Sequence, residues 1–472
     1  MKHILSYVLM ILLFSTTALY AAPPGGGDDG YRTFFAAVTV RDLDGNPCSG
    51  IKVSLYAELY GSEGPGFGSD HAITNSSGYA NLSTTVYYQG YEGNKYLRVL
   101  LSDDRYTVIS ASHTYTYSSF QLYPQFKVTT TQALVDRYSP TLQLHNPTEW
   151  IAPEPVEYLG VDKEDLWFVL YNIKGQAVKD YSIQDEALFN PPVRYFHEWM
   201  NHPNPNYSFL KGDGYSYTGR PPGKAYGRYW LRFHYNYAGG ANSPSRWIST
   251  YETERQQNAF AHTIYAHVFW LNDQPVIQYW FYYPYNDGYN NHEGDWEHIN
   301  VRLNIDRTNP SSSLSIEAID FYFHYKVITL TSGYTTEDST HPVVYVGGSC
   351  ASIDWPATCE PGNTTGGSYP WPGIWYNVGP FGYDEYVYGD GPIIPYDSIT
   401  VKVLPRPSAI NYDANPELSW LKAKIRWGEL NVSSPWDFFD SLQEVGNSAP
   451  PGPAYNKGWE RVGAVKDAYD AY

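Results

Sequence analysis

The sequence predicts an all-β protein: a small β-sandwich followed by a larger β-sandwich with long loops and few short helices. Three observations predict it. Short runs of alternating apolar and polar residues recur between turn signals along most of the chain. Aromatics make up 17% of the residues, with 47 Tyr beside 34 Pro and 40 Gly, a composition that favours pleated strands and tight turns. No long helical period stands out except near the C-terminus. The 472 residues leave room for two or three domains with real cores.

Residues 1–22 read as a signal peptide. Lys2 and His3 give a positive start, Ile4 to Phe14 is apolar, and Ala18 to Ala22 offers small residues for cleavage. Residues 23–30, PPGGGDDG, read as a flexible leader. No later segment approaches the length of a transmembrane helix. The expected location is therefore secreted, periplasmic or cell-surface. The net charge of −18 argues against nucleic acid and anionic membranes as electrostatic partners. It suits cation binding.

The first unit is expected over residues 31–127. Ala36, Val38 and Val40 alternate with their neighbours, and so do Ile51, Val53 and Leu55. Asp42 to Pro47 and Asn75 to Ala80 are turns. Leu82 to Val86, Tyr96 to Leu100 and Tyr106 to Ile109 complete a set of short strands, as in a small β-sandwich. The strings VTVRDLDGNPCSGIKVSL and TNSSGYANLSTTV resemble bacterial immunoglobulin-like modules of the invasin and intimin kind. The resemblance implies an immunoglobulin-like sandwich acting as a spacer or adhesive arm. Asp42-Leu43-Asp44-Gly45 shares the start of a calcium loop but lacks the later ligands, so it is expected to be a plain turn. Cys48 is expected to be a small buried hydrophobe.

Residues 128–137 read as a linker or short helix, residues 138–455 as the second sandwich, and residues 456–472 as a peripheral tail. In the second unit Leu142 and Leu144 alternate in a first strand, with His145 and Glu149 as polar residues in an otherwise apolar stretch. Residues 160–225 read as loop, and 228–235 alternate as a strand. Ala261 to Leu271 and Val276 to Tyr283 form a hairpin around Asn272-Asp273. Across Ser313 to Val327, Leu314 and Ile316 have one parity and Ile319, Phe321 and Phe323 the other, which predicts a bulge. His341 to Cys350 and Ile399 to Leu404 are further strands, and Trp436 to Val445 a short helix. Cys350 and Cys359 flank a Trp-Pro turn and are close enough in sequence to bridge.

Chemistry concentrates in Tyr279 to His298, YWFYYPYNDGYNNHEGDWEH. Asn286, Asp287 and Gly288 break an aromatic strand. From Asp295 the period of two places Asp295, Glu297, Ile299, Val301 and Leu303 on one face, and Trp296, His298, Asn300 and Arg302 on the other. Two carboxylates on an apolar face repel one another and are costly to bury, so a cation, an Arg or a shared proton must compensate. His292 and Glu293, in the loop before the strand, could add a nitrogen and an oxygen. Carboxylates with one His and water suit a hard divalent ion, Ca²⁺ or Mg²⁺ first, with Mn²⁺ and Zn²⁺ behind. An ion-pair network at a strand end is the competing reading.

The strings YSPTLQLHNPTEWIAPEPVEYL, YWFYYPYN, HEGDWEHINVRL, HPVVYVGGSCASI and IRWGE, in that order over residues 138–430, resemble the vacuolar protein sorting-associated protein sixty-two family. Where that family has His, this chain has Cys350. More distantly, the focal string is similar to the G-H-R-H-D-W-E motif of the necrosis- and ethylene-inducing cytolysins. That resemblance implies a cation site built from His292, Asp295, Glu297 and Asp287, with Gly294 in place of the second motif His and Trp296 matching the motif Trp. It also implies a glycan or lipid head group as the partner. Glu293, Trp296, His298, His324 and His341 are candidates to line the site. Three functions stay open: a secreted cation-binding recognition protein, a metal-assisted or carboxylate-pair hydrolase, and a structural or adhesive envelope protein. No G-x-S-x-G, H-E-x-x-H or Gly-rich phosphate loop points to other chemistry.

Overall fold

The computed structural model describes residues 30–61, 64–89, 92–103, 105–145, 152–156, 168–172, 229–233, 261–286, 292–323, 326–349, 364–376, 385–411, 414–422, 427, 452–456 and 458–463. The expected signal peptide, Asp287, His324, Cys350, Cys359 and the expected helix at 436–445 lie outside them. By contacts the chain divides into two units. One comprises Met1–Thr129 with Asp306–Ser312, and the other Thr130–Ile305 with Ser313–Tyr472.

Alternation builds the first unit. It contains β1 (Gly30–Arg41), β2 (Lys52–Gly61), β3 (Gly64–Ile73), β4 (Tyr79–Tyr88), β5 (Glu92–Leu101), β6 (Thr107–Ser112), β7 (Tyr115–Thr116), β8 (Gln121–Leu122) and β9 (Gln125–Thr129). One sheet runs β4-β1-β9-β6 with β8 on β1, and the other β3-β2-β5-β7. Phe34, Ala36, Val38 and Val40 from β1 bury against Val53, Leu55, Ala57 and Leu59 from β2, with Leu97, Val99 and Phe126 between them. Fully burying one such side chain stabilises by roughly 1.5–3 kcal/mol. Strands β7 to β9 go beyond the expected set, with β9 running into the expected linker, and β3 is hidden from alternation. Gly64, Pro65, Gly66 and Gly68 dilute its pattern, yet it pairs with β2 from Gly61↔Gly64 to Lys52↔Ile73. At Gly66 a Cβ would lie 1.8 Å from the Tyr87 carbonyl oxygen, so only glycine lets the strand pass there. The Asp42 turn closes on itself: the Asp42 carboxylate accepts from the Asp44 and Asn46 amides at 2.9 and 2.8 Å. Cys48 packs half-buried against the core as a free thiol.

The second unit opens with helix α1 (Thr131–Arg137), capped by the Thr130 hydroxyl accepting from the Ala133 amide. Its strands are β10 (Thr141–Gln143), β11 (Phe168–Asn172), β12 (Tyr229–Phe233), β13 (Thr263–Leu271), β14 (Gln274–Asn286), β15 (His292–Asn304), β16 (Ser315–Phe323), β17 (Lys326–Leu330), β18 (Thr336–Glu337), β19 (His341–Ser349), β20 (Thr364–Tyr369), β21 (Gly373–Trp375), β22 (Glu385–Val387), β23 (Ile393–Ile394) and β24 (Thr400–Val403). One sheet runs β17-β16-β15-β14-β13-β24. The other runs β21-β22-β19-β10-β23, with β18 and β20 also on β19. Strand β20 packs against β14, β15 and β16, so one face of the first sheet looks onto the second. Strands β11 and β12 pair separately.

Local chemistry sets the joints. Asn272 and Asp273 take φ of 49° and 64° between β13 and β14, which suits the tight twisted turn of a hairpin. The bulge expected between Ile316 and Ile319 is present: Leu303 pairs with Ile316 while Arg302 pairs with Ala318. The Tyr279 hydroxyl donates to the Val135 carbonyl at 2.6 Å and ties β14 to α1.

The far face of the β17–β24 sheet is covered by residues 452–463. Trp296 packs among Tyr265, Tyr282, Trp420 and Trp427, with ring centroids 4.9–5.7 Å apart. Beyond it Gln278, Asn300 and Asp320 form a buried polar row. The C-terminal segment satisfies that row: Gln278 Nε2 donates to the Gly458 carbonyl (2.8 Å), Asn300 Nδ2 to the Arg461 carbonyl (2.7 Å), and the Gly463 amide to Asp320 Oδ2 (3.1 Å). Residues expected to be a peripheral tail are thus a strap that completes hydrogen bonding inside the sheet face.

Candidate functional site

The site starts from the register of β14 and β15. Asp295 stands opposite Tyr283 and Glu297 opposite Phe281. Residues directly opposite share a face. Tyr279, Phe281 and Tyr283 therefore line up with Asp295, Glu297, Ile299 and Val301, and with Ile319 and Phe321 of β16. This is the face that β20 covers. Asp295 and Glu297 are each only 6% exposed. The parity read from the sequence holds for both carboxylates.

Two glycines let β20 lie on that face. A Cβ on Gly366 (φ +75°) would meet the Tyr283 ring at 3.0 Å and Asp295 Oδ2 at 3.4 Å. One on Gly367 would meet Phe323 Cβ at 3.0 Å. Tyr369 at the end of β20 stacks on Phe323 with centroids 4.5 Å apart and donates its hydroxyl to Glu385 of β22. Glu385 is itself buried. The negative field is felt by both tyrosines. Burial raises the hydroxyl pKa of Tyr283 well above the usual tyrosine value, and Glu297 and Asp295 raise it further. Burial does the same for Tyr369, with Glu385 the next contributor and Glu297 a smaller one. Both stay neutral. The Tyr283 hydroxyl is buried and has no hydrogen-bond partner among the described residues.

His145 extends the polar interior beyond Glu385. It is fully buried, and neither ring nitrogen has a partner among the described residues. A Cβ on Gly348 would fall 2.1 Å from the imidazole, so Gly348 makes its slot. Burial lowers the His145 pKa to about 4, while Glu385 and Asp390 pull it back upward. Sequence reasoning marked His145 only as a polar residue in an apolar stretch, and it missed Glu385 and Tyr369. The Gly347-Gly348 and Gly366-Gly367 pairs are the signal that could have found them, since paired glycines inside strands mark close approaches.

The other expected site residues fall elsewhere. His292 and Glu293 belong to β15 rather than to a preceding loop, with His292 opposite Asn286 and Glu293 opposite Tyr285. For these two the structure describes the backbone. Trp296 and His298 lie on the opposite face from the carboxylates, as strand alternation requires. His298 is sandwiched between Trp280 and Tyr322, with centroids 4.2 and 3.9 Å away, and burial alone lowers its pKa to about 3. His341 faces the Ser139 carbonyl through Nδ1 at 2.8 Å and stacks on Tyr396. It sits seven residues along β19 from Gly348, roughly 23 Å of extended strand away. None of these three lines the carboxylate site.

Gly294 has a structural reason of its own. Its φ is +64°, and a Cβ there would lie 1.6 Å from the Trp427 carbonyl oxygen. The histidine that the cytolysin motif carries at this position has no room here.

Asp295 and Glu297 supply the hard oxygen donors that Ca²⁺ or Mg²⁺ takes. Among the described residues no three His, Cys, Asp or Glu side chains converge to hold a metal ion. The carboxylate pair by itself supplies part of a coordination shell.

No protein-family model matches this chain, and neither does any curated protein. Among solved structures, Necrosis and Ethylene inducing Protein 2 from the causal agent of cocoa's Witches Broom disease is 16% identical, over 38% of this chain and 66% of that one, with a TM-score of 0.20. NLPPya in complex with mannosamine is 18% identical, over 51% and 72%, with a TM-score of 0.20. The shaft pilin spaA from Lactobacillus rhamnosus GG is 13% identical, over 31% and 62%, with a TM-score of 0.14. The chain spans 50% of the first of the matching structures, the non-toxic HaNLP3 protein. Superposition this partial carries no argument about function, which rests on the residues themselves. Among the described residues no helix is long and apolar enough to cross a membrane.

Proposed function

We propose that the second unit is a recognition domain that binds a divalent cation, Ca²⁺ or Mg²⁺ before Zn²⁺ or Mn²⁺, and uses it to hold a glycan or lipid head group at a cell surface. Asp295 and Glu297 would be the central ligands, with His292 and Asp287 added on the strength of the cytolysin resemblance alone. One observation carries the reading: the two carboxylates are buried on one face, where Tyr283 feels the charge of both and Tyr369 that of Glu297. Like charges placed together out of water call for compensation, and a divalent cation supplies it to both carboxylates at once. The head-group partner follows from the resemblance of the 279–298 string to the cytolysins. So does cytolysin-like activity, as the finer form of the reading. The vacuolar sorting-associated resemblance of residues 138–430, export through residues 1–22, the domain bounds and a Cys350–Cys359 bridge belong to the same proposal.

A pair two residues apart on one strand approaches a substrate from one side. That suits gripping an ion better than flanking a glycosidic bond, so binding is favoured over hydrolysis. The test is metal content of the purified full-length chain by mass spectrometry, wild type against Asp295→Asn/Glu297→Gln. Melting curves in chelator and in added Ca²⁺, Mg²⁺ or Zn²⁺ accompany it. A stoichiometric ion lost in the double variant, with a melting rise on re-addition in the wild type, supports the site. No ion and no rise at millimolar metal overturns it.

A further inference from the structure

The first unit keeps many of its aromatic rings outside its core. Phe34 and Phe126 lie in the core. The outward face of the β3-β2-β5-β7 sheet carries a set of rings whose arrangement follows from register. Glu58 on β2 is flanked by Phe67 on β3 and Tyr96 on β5. Tyr117 continues that row, its ring 5.2 Å from Tyr96. In the next row Tyr56 lies between Ser69 and Arg98, and Arg98 is flanked in turn by Tyr115. Phe67, Tyr56, Tyr115 and Tyr117 are 47–67% exposed. The result is a checkerboard in which every ring neighbours a charged or hydroxyl-bearing side chain. The Tyr60 hydroxyl donates to Glu58 Oε2 at 3.0 Å and orients that carboxylate along the face.

Spacing points to the occupant. Neighbouring strands lie about 4.8 Å apart, so Phe67 and Tyr96 are roughly 10 Å apart, and so are Tyr56 and Tyr115. That distance matches two pyranose units of an extended β-linked chain, in which alternate sugars turn the same face to one side. Rings stack on the C–H faces of sugars, and the interleaved Glu58, Arg98 and Ser69 meet their hydroxyls. A protein partner is a poorer fit because it would bury Glu58 and Ser69 among the rings, and protein interfaces are depleted of Glu and Ser even as they favour aromatics and Arg. A polyanion is disfavoured by the chain's net charge of −18. We propose that this face is a binding platform for a neutral, linear β-linked glycan, independent of the carboxylate site in the second unit.

The test uses the full-length chain and two variants, with microcrystalline cellulose and chitin in pull-downs and cello- and chito-hexaose in calorimetry. Tyr56→Ser/Phe67→Ser/Tyr115→Ser changes only exposed rings and leaves the core intact. Tyr31→Ser/Tyr87→Ser, which alters the exposed aromatic pair of the other sheet, is the control. All assays are run in EDTA, which removes cation-dependent binding by the second unit and so separates this platform from the cation site. The expected result is binding to at least one probe in EDTA, weakened roughly tenfold or more by the triple variant and unchanged by the control variant. Three results overturn the proposal: no wild-type binding to any probe in EDTA, binding that the triple variant leaves intact, or binding that the control variant weakens as much as the triple variant does. In the first case, a wild-type dimer in light scattering that the triple variant dissociates would assign this face to a second copy.

Discussion

Asp295 and Tyr283 stand directly opposite each other on β15 and β14, on the same buried face, and the Tyr283 hydroxyl there has no hydrogen-bond partner among the described residues. A buried hydroxyl beside two carboxylates gives up its bonds to water for little in return. Tyr283→Phe removes that liability while keeping the ring that packs over Gly366. The expected change in unfolding free energy in urea lies between zero and a gain of about 1 kcal/mol. A loss above about 1.5 kcal/mol would show that the hydroxyl has a partner in the folded protein.

Gly294→Ala tests the close approach of β15 to Trp427. The substitution combines a positive φ with a Cβ 1.6 Å from a backbone oxygen, so something must move. A cost of about 3 kcal/mol or more is expected, read as a lower urea midpoint with an unchanged slope. A melting temperature within a degree or two of the wild type would show that Trp427 is not held against this strand.

His145 predicts a pH dependence. Its pKa is about 4 in the folded chain against 6.5 for an ordinary imidazole. Between these values the unfolded chain binds more protons than the folded one. Stability is therefore complete above pH 6.5 and falls as the pH drops toward 4. The contribution of this residue is about 1.4 kcal/mol per pH unit within the window. Urea midpoints at pH 6 and 5 measure it. His145→Phe, which keeps a flat ring in the Gly348 slot, should flatten the slope by about one proton. An unaltered slope would mean that His145 takes up its proton in the folded state at an ordinary pH.

The strap at 452–463 predicts a truncation effect. Ending the chain at residue 451 removes acceptors and donors for Gln278, Asn300 and Asp320 and uncovers His298 beneath Gly458. It also removes Glu460, which binds Arg406 and His267. Each buried polar group left without its partner costs about 1–3 kcal/mol. The truncated chain should be cleaved rapidly by protease at temperatures where the full chain resists. Equal resistance would demote the strap to a surface decoration.

Much of the fold was legible because β-structure writes a local signal. The period of two set the parity of Asp295 and Glu297 without knowledge of any partner strand. The conflict between Leu314 and Ile316 on one side and Ile319 on the other announced the bulge. Asn272-Asp273 announced its turn through the tolerance of those residues for positive φ. Strand β3 escaped because Gly64, Gly66 and Gly68 interrupt its alternation, and what makes it a strand is its pairing with β2.

Which side chains share the interior with the carboxylates depends on how the two sheets pack. Tyr369 on β20 feels Glu297 and donates its hydroxyl to Glu385 on β22, and His145 arrives from the end of β10 through a slot that Gly348 leaves open. Periodicity within a strand is fixed by backbone stereochemistry over a few residues. Which strands face each other across a sandwich is fixed by the burial of whole faces, and no local pattern records that choice. Strand alternation alone puts the two carboxylates on one face with Ile299 and Val301. The packing of the second sheet onto them determined the buried tyrosines, the third carboxylate and the imidazole of their surroundings.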